Sequence, residues 1–223
     1  MARDNSPEIR QLAQLERKQN PRASCDRILI VSEGSKTEPH YFREIRVAHR
    51  LHTANVQVRP SELGTEPTQV VQYARALFEH GDVHKRIGKR SFEQVFAVFD
   101  RDDHKSYFDA LKLAASLDKK LRNDNNQPVV FRAIASVPCF ELWLLLHYKE
   151  ILHPLHRDEV MSRLKKYIPS YEKAWTRFFN TQDKLDIAFS RARRLAERNT
   201  AFDGKEPFTD IVQLVDLLNS LGR

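Results

Sequence analysis

Cysteine is nearly absent from this chain. Cys25 and Cys139 are the two among 223 residues, far apart and without partner spacing. A disulfide scaffold or a zinc site is therefore not expected, and a reducing cytosol is the compartment that fits. Glycine is also scarce, at six residues. Gly34-Ser35-Lys36-Thr37 lacks the Gly-x-x-x-x-Gly-Lys-Ser/Thr spacing of a phosphate-cradling loop, and no Gly-x-Gly-x-x-Gly follows the first strand. No Gly-x-Ser-x-Gly elbow occurs either, which removes the common serine-hydrolase arrangement. No apolar run reaches the ~18–20 residues that a membrane span requires. The longest candidate, 139–146, is interrupted by Glu141. Residues 1–20 are polar and lack the apolar stretch of a secretory signal. The expectation is a cytoplasmic protein with no membrane partner.

What the chain does have is charge. It carries 30% charged and 41% hydrophobic residues, enough apolar material for a sizeable core beneath a soluble surface. Its net charge of +7 and sequence pI near 9.5 favour a polyanionic partner. The excess is uneven: residues 157–198 hold eleven Lys/Arg against six Asp/Glu. A solvated helical surface explains such a stretch as well as a binding face does.

The hydrophobic pattern predicts alternating strands and helices. Residues 5–19 read as a helical arm ending at Asn20-Pro21. Ile28-Leu29-Ile30-Val31 is a short β-branched run of the kind found in buried strands. A helix follows over 37–51, a strand over 55–59 and a helix opened by Thr65-Glu66-Pro67. A third strand over 92–99 runs into Asp100-Arg101-Asp102-Asp103. A helix over 106–122, a strand over 129–135 and an apolar helix over 139–147 complete the series. Helices near 157–167, 183–199 and 208–221 come after, with a linker at 202–207 and no further strand. This β-α-β-α-β-α-β-α order predicts an α/β fold: a mainly parallel four-stranded sheet sandwiched by helices. The divisions expected are an arm at 1–24, an α/β core at 25–150 and a helical C-terminal extension at 151–223 packed on the core.

In open parallel sheets, functional groups gather at the carboxyl ends of the strands. Glu33 follows the first strand there, Asp100 and Asp102 follow the third, and Glu141 follows the fourth. Clustered carboxylates repel one another unless protonated or neutralised by a cation. Oxygen donors of this kind suit Mg²⁺ or Mn²⁺, which can activate water and stabilise charge on a phosphoryl oxygen. Each acid also has a plainer explanation as a helix cap or a solvated loop charge. Lys36 is either a phosphate contact or a surface lysine at a helix start. His104 and His147 lie near the proposed site, but direct participation is not expected of either.

Four stretches carry a family resemblance. They are Ile30-Val31-Ser32-Glu33-Gly34-Ser35-Lys36-Thr37-Glu38-Pro39-His40-Tyr41-Phe42; Phe99-Asp100-Arg101-Asp102; Ser136-Val137-Pro138-Cys139-Phe140-Glu141-Leu142-Trp143 with His147; and Pro207-Phe208-Thr209-Asp210-Ile211-Val212. Together they resemble the RloB-like family, which is related to Toprim domains and associated with bacterial antiphage and restriction loci. The resemblance covers nearly the whole chain from Cys25 onward. It implies a Toprim/Rossmann-like sheet and Mg²⁺ or Mn²⁺ as cofactor. It makes Glu33 a candidate acid–base or metal ligand, with Asp100 and Asp102 as metal ligands. Glu141 resembles the acid that completes a second metal site in OLD-like nucleases.

The leading expectation is a metal-dependent nuclease acting on DNA or RNA, tRNA included. Arg191, Arg193, Arg194 and Arg198 would hold the substrate backbone. The alternative is an effector subunit, silent or conditionally active, that works with an ATPase encoded beside it. A homo-oligomer is compatible with either. Tyr171, Trp175, Phe178 and Phe179 accompany the basic stretch, and their helical spacing favours core packing over base stacking.

Overall fold

The computed structural model describes residues 26–169, 171 and 178–222. The expected arm at 1–24, Cys25 and Trp175 lie outside the described residues. Among those described, five strands form one mixed sheet: β1 (Ile28–Ser32), β2 (Val56–Pro60), β3 (Gln94–Asp100), β4 (Val130–Val137) and β5 (Phe208–Thr209). The order is β2-β1-β3-β4-β5; the first four are parallel and β5 pairs antiparallel with β4. Seven α-helices accompany them: α1 (Thr37–Ala48), α2 (Pro67–His80), α3 (Tyr107–Leu117), α4 (Glu141–Leu146), α5 (Arg157–Tyr167), α6 (Leu185–Ala196) and α7 (Ile211–Leu221).

The four-stranded expectation is thus corrected to five. β5 is two residues long, too short for any periodicity to show. Pairing across the sheet reveals it instead: Phe208 faces Val137, Thr209 faces Ser136, and the hydroxyls of Ser136 and Thr209 lie 3.1 Å apart. The helix expected over 208–221 accordingly begins at Ile211. The helix expected over 106–122 stops at Leu117. Lys119 enters the left-handed region at φ 58°, while Asp118 accepts the Phe131 N–H through its side chain at 3.0 Å.

Strand residues alternate between two cores, as a sheet covered on both faces requires. Ile28, Ile30, Phe96, Val98 and Ile134 pack with the helical layer of α1, α4, α5, α6 and α7. Leu29, Val31, Val95, Ala97 and Phe99 pack with α2 and α3 on the other face. The chain leaves β1 toward β2 on one side and leaves β3 toward β4 on the other. The strand order therefore reverses between β1 and β3, and the loops beyond their carboxyl ends diverge there to leave a crevice.

Candidate functional site

Asp100 is the last residue of β3 and Glu33 follows β1, so parallel pairing sets their backbones side by side. The Glu33 N–H continues the ladder by donating to Val98 O at 2.9 Å. Its carboxylate turns back over the strand ends, where Oε2 accepts the Asp100 N–H at 3.1 Å. Beyond Asp100 the backbone folds over the end of β4: Arg101 N–H donates to Ser136 O at 2.8 Å and Asp102 N–H to Pro138 O at 3.0 Å. Asp102 is held at φ 35°, a left-handed conformation that aspartate tolerates better than most residues. Glu141 begins α4 just past β4, and the Tyr171 hydroxyl donates to its Oε1 at 2.8 Å.

The fold brings together Glu33, Asp100, Asp102 and Glu141, and adds one acid that strand-end logic missed. Glu38, in the first turn of α1, is buried, and its carboxylate occupies the space where a Cβ on Gly34 would stand. Burial raises the Asp100 carboxyl well above its ordinary value, and the charges of Glu38, Glu33, Glu141 and Asp102 push the same way. Burial likewise raises Glu33 and Asp102. The Asp100 N–H and His104 oppose the rise in Glu33, and Arg157 and His104 oppose it in Asp102. Asp102 Oδ1 is buried and accepts no hydrogen bond among the described residues.

Three further residues complete the surroundings: His104, which the sequence places nearby without a role, and Glu66 and Arg157, which it does not connect with the site. His104 lies between two carboxylates, with Nε2 3.2 Å from Glu33 Oε1 and Nδ1 3.3 Å from Glu66 Oε1. Burial alone would lower its pKa; Glu33 and Glu66 outweigh that and raise it. Glu66 caps α2 and also accepts the Ser106 hydroxyl at 2.6 Å. Arg157, at the start of α5, is ion-paired through Nη1 with Asp102 Oδ2.

Other expected residues sit elsewhere. Lys36 is exposed at the start of α1. Arg101 turns away from the acids, to Gly204 O and Glu206. His147 is a core residue: it is buried, its Nδ1 lies 3.0 Å from Trp143 O, and burial depresses its pKa to about 4. Arg191 donates to Leu146 O at 2.7 Å, at the opposite end of α4 from Glu141. Arg193 pairs with Asp216 at 3.3 Å, and Arg194 pairs with Glu150. Three of the four α6-region arginines are thus engaged by the protein itself. Tyr171 and Phe178 are buried, whereas Phe179 is exposed.

Among the described residues, no three His, Cys, Asp or Glu side chains stand as a group that could hold a metal ion. The acids are close enough to perturb one another, but Glu33 directs its oxygens to His104 and the Asp100 N–H, Asp102 directs one to Arg157 and Glu141 one to Tyr171.

A family model described as RloB-like protein matches residues 28–218. No curated protein and no solved structure matches the chain.

Proposed function

The chain belongs to the RloB-like protein family, and from that membership and its acid cluster we propose that it hydrolyses phosphodiester bonds in nucleic acid with Mg²⁺ or Mn²⁺. One observation carries the reading. Five carboxylates from three segments of the chain meet where the strand order reverses, and a buried oxygen of Asp102 has no partner among the described residues. Burying so much like charge opposes folding unless protons or a bound cation neutralise it. The acid after the first strand and the Asp-x-Asp after the third support a Toprim-like arrangement, and the family resemblance supports a role in bacterial antiphage defence.

The donor set fits a hard divalent cation, being all oxygen and anionic. Glu33, Asp100, Asp102 and Glu141 would hold the ion, which when bound lowers the pKa of water and neutralises charge on a phosphoryl oxygen. The protein supplies the rest. Glu33, raised by burial and steadied by the Asp100 N–H and His104, is suited to accept and return a proton. Arg157 puts a guanidinium beside the acids, and only Nη1 has a partner among the described residues. Its remaining donors are available to a substrate phosphate. Lys36, exposed after the Glu33 turn, offers a second positive charge from the solvent side.

The alternative, an effector active only when assembled, is favoured by a different observation. Arg157 sits on Asp102 and Tyr171 on Glu141, so the acids are internally engaged. A partner such as an ATPase from the same locus would release them. Incubation of DNA, RNA and tRNA panels with Mn²⁺ tests the first reading against Glu33→Ala and Asp100→Ala. Cleavage by the wild type alone is expected. Equal activity in all three proteins ends the metal-site proposal, and activity that appears only with a co-purifying partner favours the second reading.

A further inference from the structure

Among the described residues β2 is the outer parallel strand of the sheet, hydrogen-bonded on one side to β1 alone. Its open edge presents unpaired backbone groups that proteins generally cover. Two arginines of α1 reach over it: Arg43 Nη2 donates to Val58 O and Arg46 Nη1 to Val56 O, each at 3.4 Å. Arg59, on β2 itself, donates through Nη2 to Lys85 O at 2.7 Å and to Gln57 Oε1 at 3.2 Å. Its Nε is buried without a partner among the described residues.

Three guanidinium groups thus share one edge, and among the described residues none of them pairs with a carboxylate. Burial first, then the charge of Arg59, holds Arg43 and Arg46 below the ordinary arginine value. Carbonyl capping uses one weak donor contact each from Arg43 and Arg46 and relieves none of the repulsion. A counter-anion would relieve it. The α6 cations differ in kind, because Arg193 and Arg194 already have carboxylates. Position adds to the case: Arg59 is in register with Val31, two residues before Glu33. The basic edge therefore leads to the acid cluster.

We propose that Arg43, Arg46 and Arg59 form the track that holds the sugar-phosphate backbone of the nucleic acid running into the site. This rests on the phosphodiester reading and replaces the α6 arginines as the substrate-holding surface. Each phosphate contact contributes roughly 0.7 to 0.9 to the slope of log affinity against log salt. Binding of short labelled single- and double-stranded oligonucleotides is measured by fluorescence anisotropy across a salt series, in EDTA so that cleavage plays no part. The triple variant Arg43→Gln/Arg46→Gln/Arg59→Gln is expected to lower the slope by about 2 to 3. The triple lysine variant should keep most of the slope, and Arg193→Gln/Arg194→Gln should leave it unchanged. Should the triple glutamine variant fail to fold, Arg43→Gln alone is expected to remove just under one. Binding with an unaltered slope in the Arg43, Arg46 and Arg59 variants overturns the track and leaves the acid site standing. A wild type that binds no nucleic acid overturns both.

Discussion

Acid should weaken the fold through His147, and the structure sets the size of the effect. The imidazole is buried against Trp143, ring centroids 4.9 Å apart, with Nδ1 facing the Trp143 carbonyl and Nε2 lacking any partner among the described residues. A proton on Nε2 would put an unpaired donor and a full charge into the core, so burial lowers the pKa from 6.5 to about 4. The unfolded chain binds that proton near its ordinary value while the folded chain resists it. Between these two values stability therefore falls as pH falls. From about pH 7.5 to about pH 4 the loss is roughly 3 kcal/mol. Glu33, Asp100 and Asp102, raised by burial, push the opposite way in acid, so the comparison must be with a variant. His147→Asn keeps a donor for the Trp143 carbonyl and carries no titrating group. Urea unfolding followed by circular dichroism should show the wild type losing roughly 3 kcal/mol more than His147→Asn over that range, with Mn²⁺-dependent cleavage unaffected by the substitution. Parallel pH profiles for the two proteins would refute the argument, and loss of cleavage would move His147 from the core into the chemistry.

Removing a clustered carboxylate should separate stability from activity. Asp100→Asn is expected to raise the melting temperature of the metal-free protein by about 2–4 °C for each ~1 kcal/mol of repulsion removed. It should cut cleavage by roughly 100-fold or more; a lower melting temperature would contradict the electrostatic account. Gly34→Ala should displace the Glu38 carboxylate that fills the space above Gly34. A drop in melting temperature is expected, with recovery in the double variant Gly34→Ala/Glu38→Ala, read by differential scanning fluorimetry. No recovery would mean the damage lies in the backbone and not in the clash.

Much of this protein is legible along the chain because the relevant signals are local. The β-branched run of β1 and the hydrophobic run ending at Asp100 mark buried strands. A short apolar run between turn signals fits a buried strand or a buried helix, and β-branched and aromatic content with short length decides for the strand here. Placing Glu33, Asp100, Asp102 and Glu141 at one edge required only that the strands be parallel, since parallel strands end on the same side. β5 stayed hidden because two residues have no period. The same applies to the charges on α6: helical spacing shows that Arg193 and Arg194 share a surface, but Asp216 on α7 and Glu150 after α4 decide that they are paired.

Sequence alone thus determined the alternation of strands and helices, the two-sided core and which acids terminate strands, all of which follow from neighbours a few residues apart. Tertiary structure decided which side chains neutralise which. Asp102 meets Arg157 across 55 residues, Glu33 and Glu66 meet at His104 across 71 and 38, and Tyr171 reaches Glu141 across 30. Electrostatic partnership depends on distance through space, and folding sets that distance with no imprint on spacing along the chain.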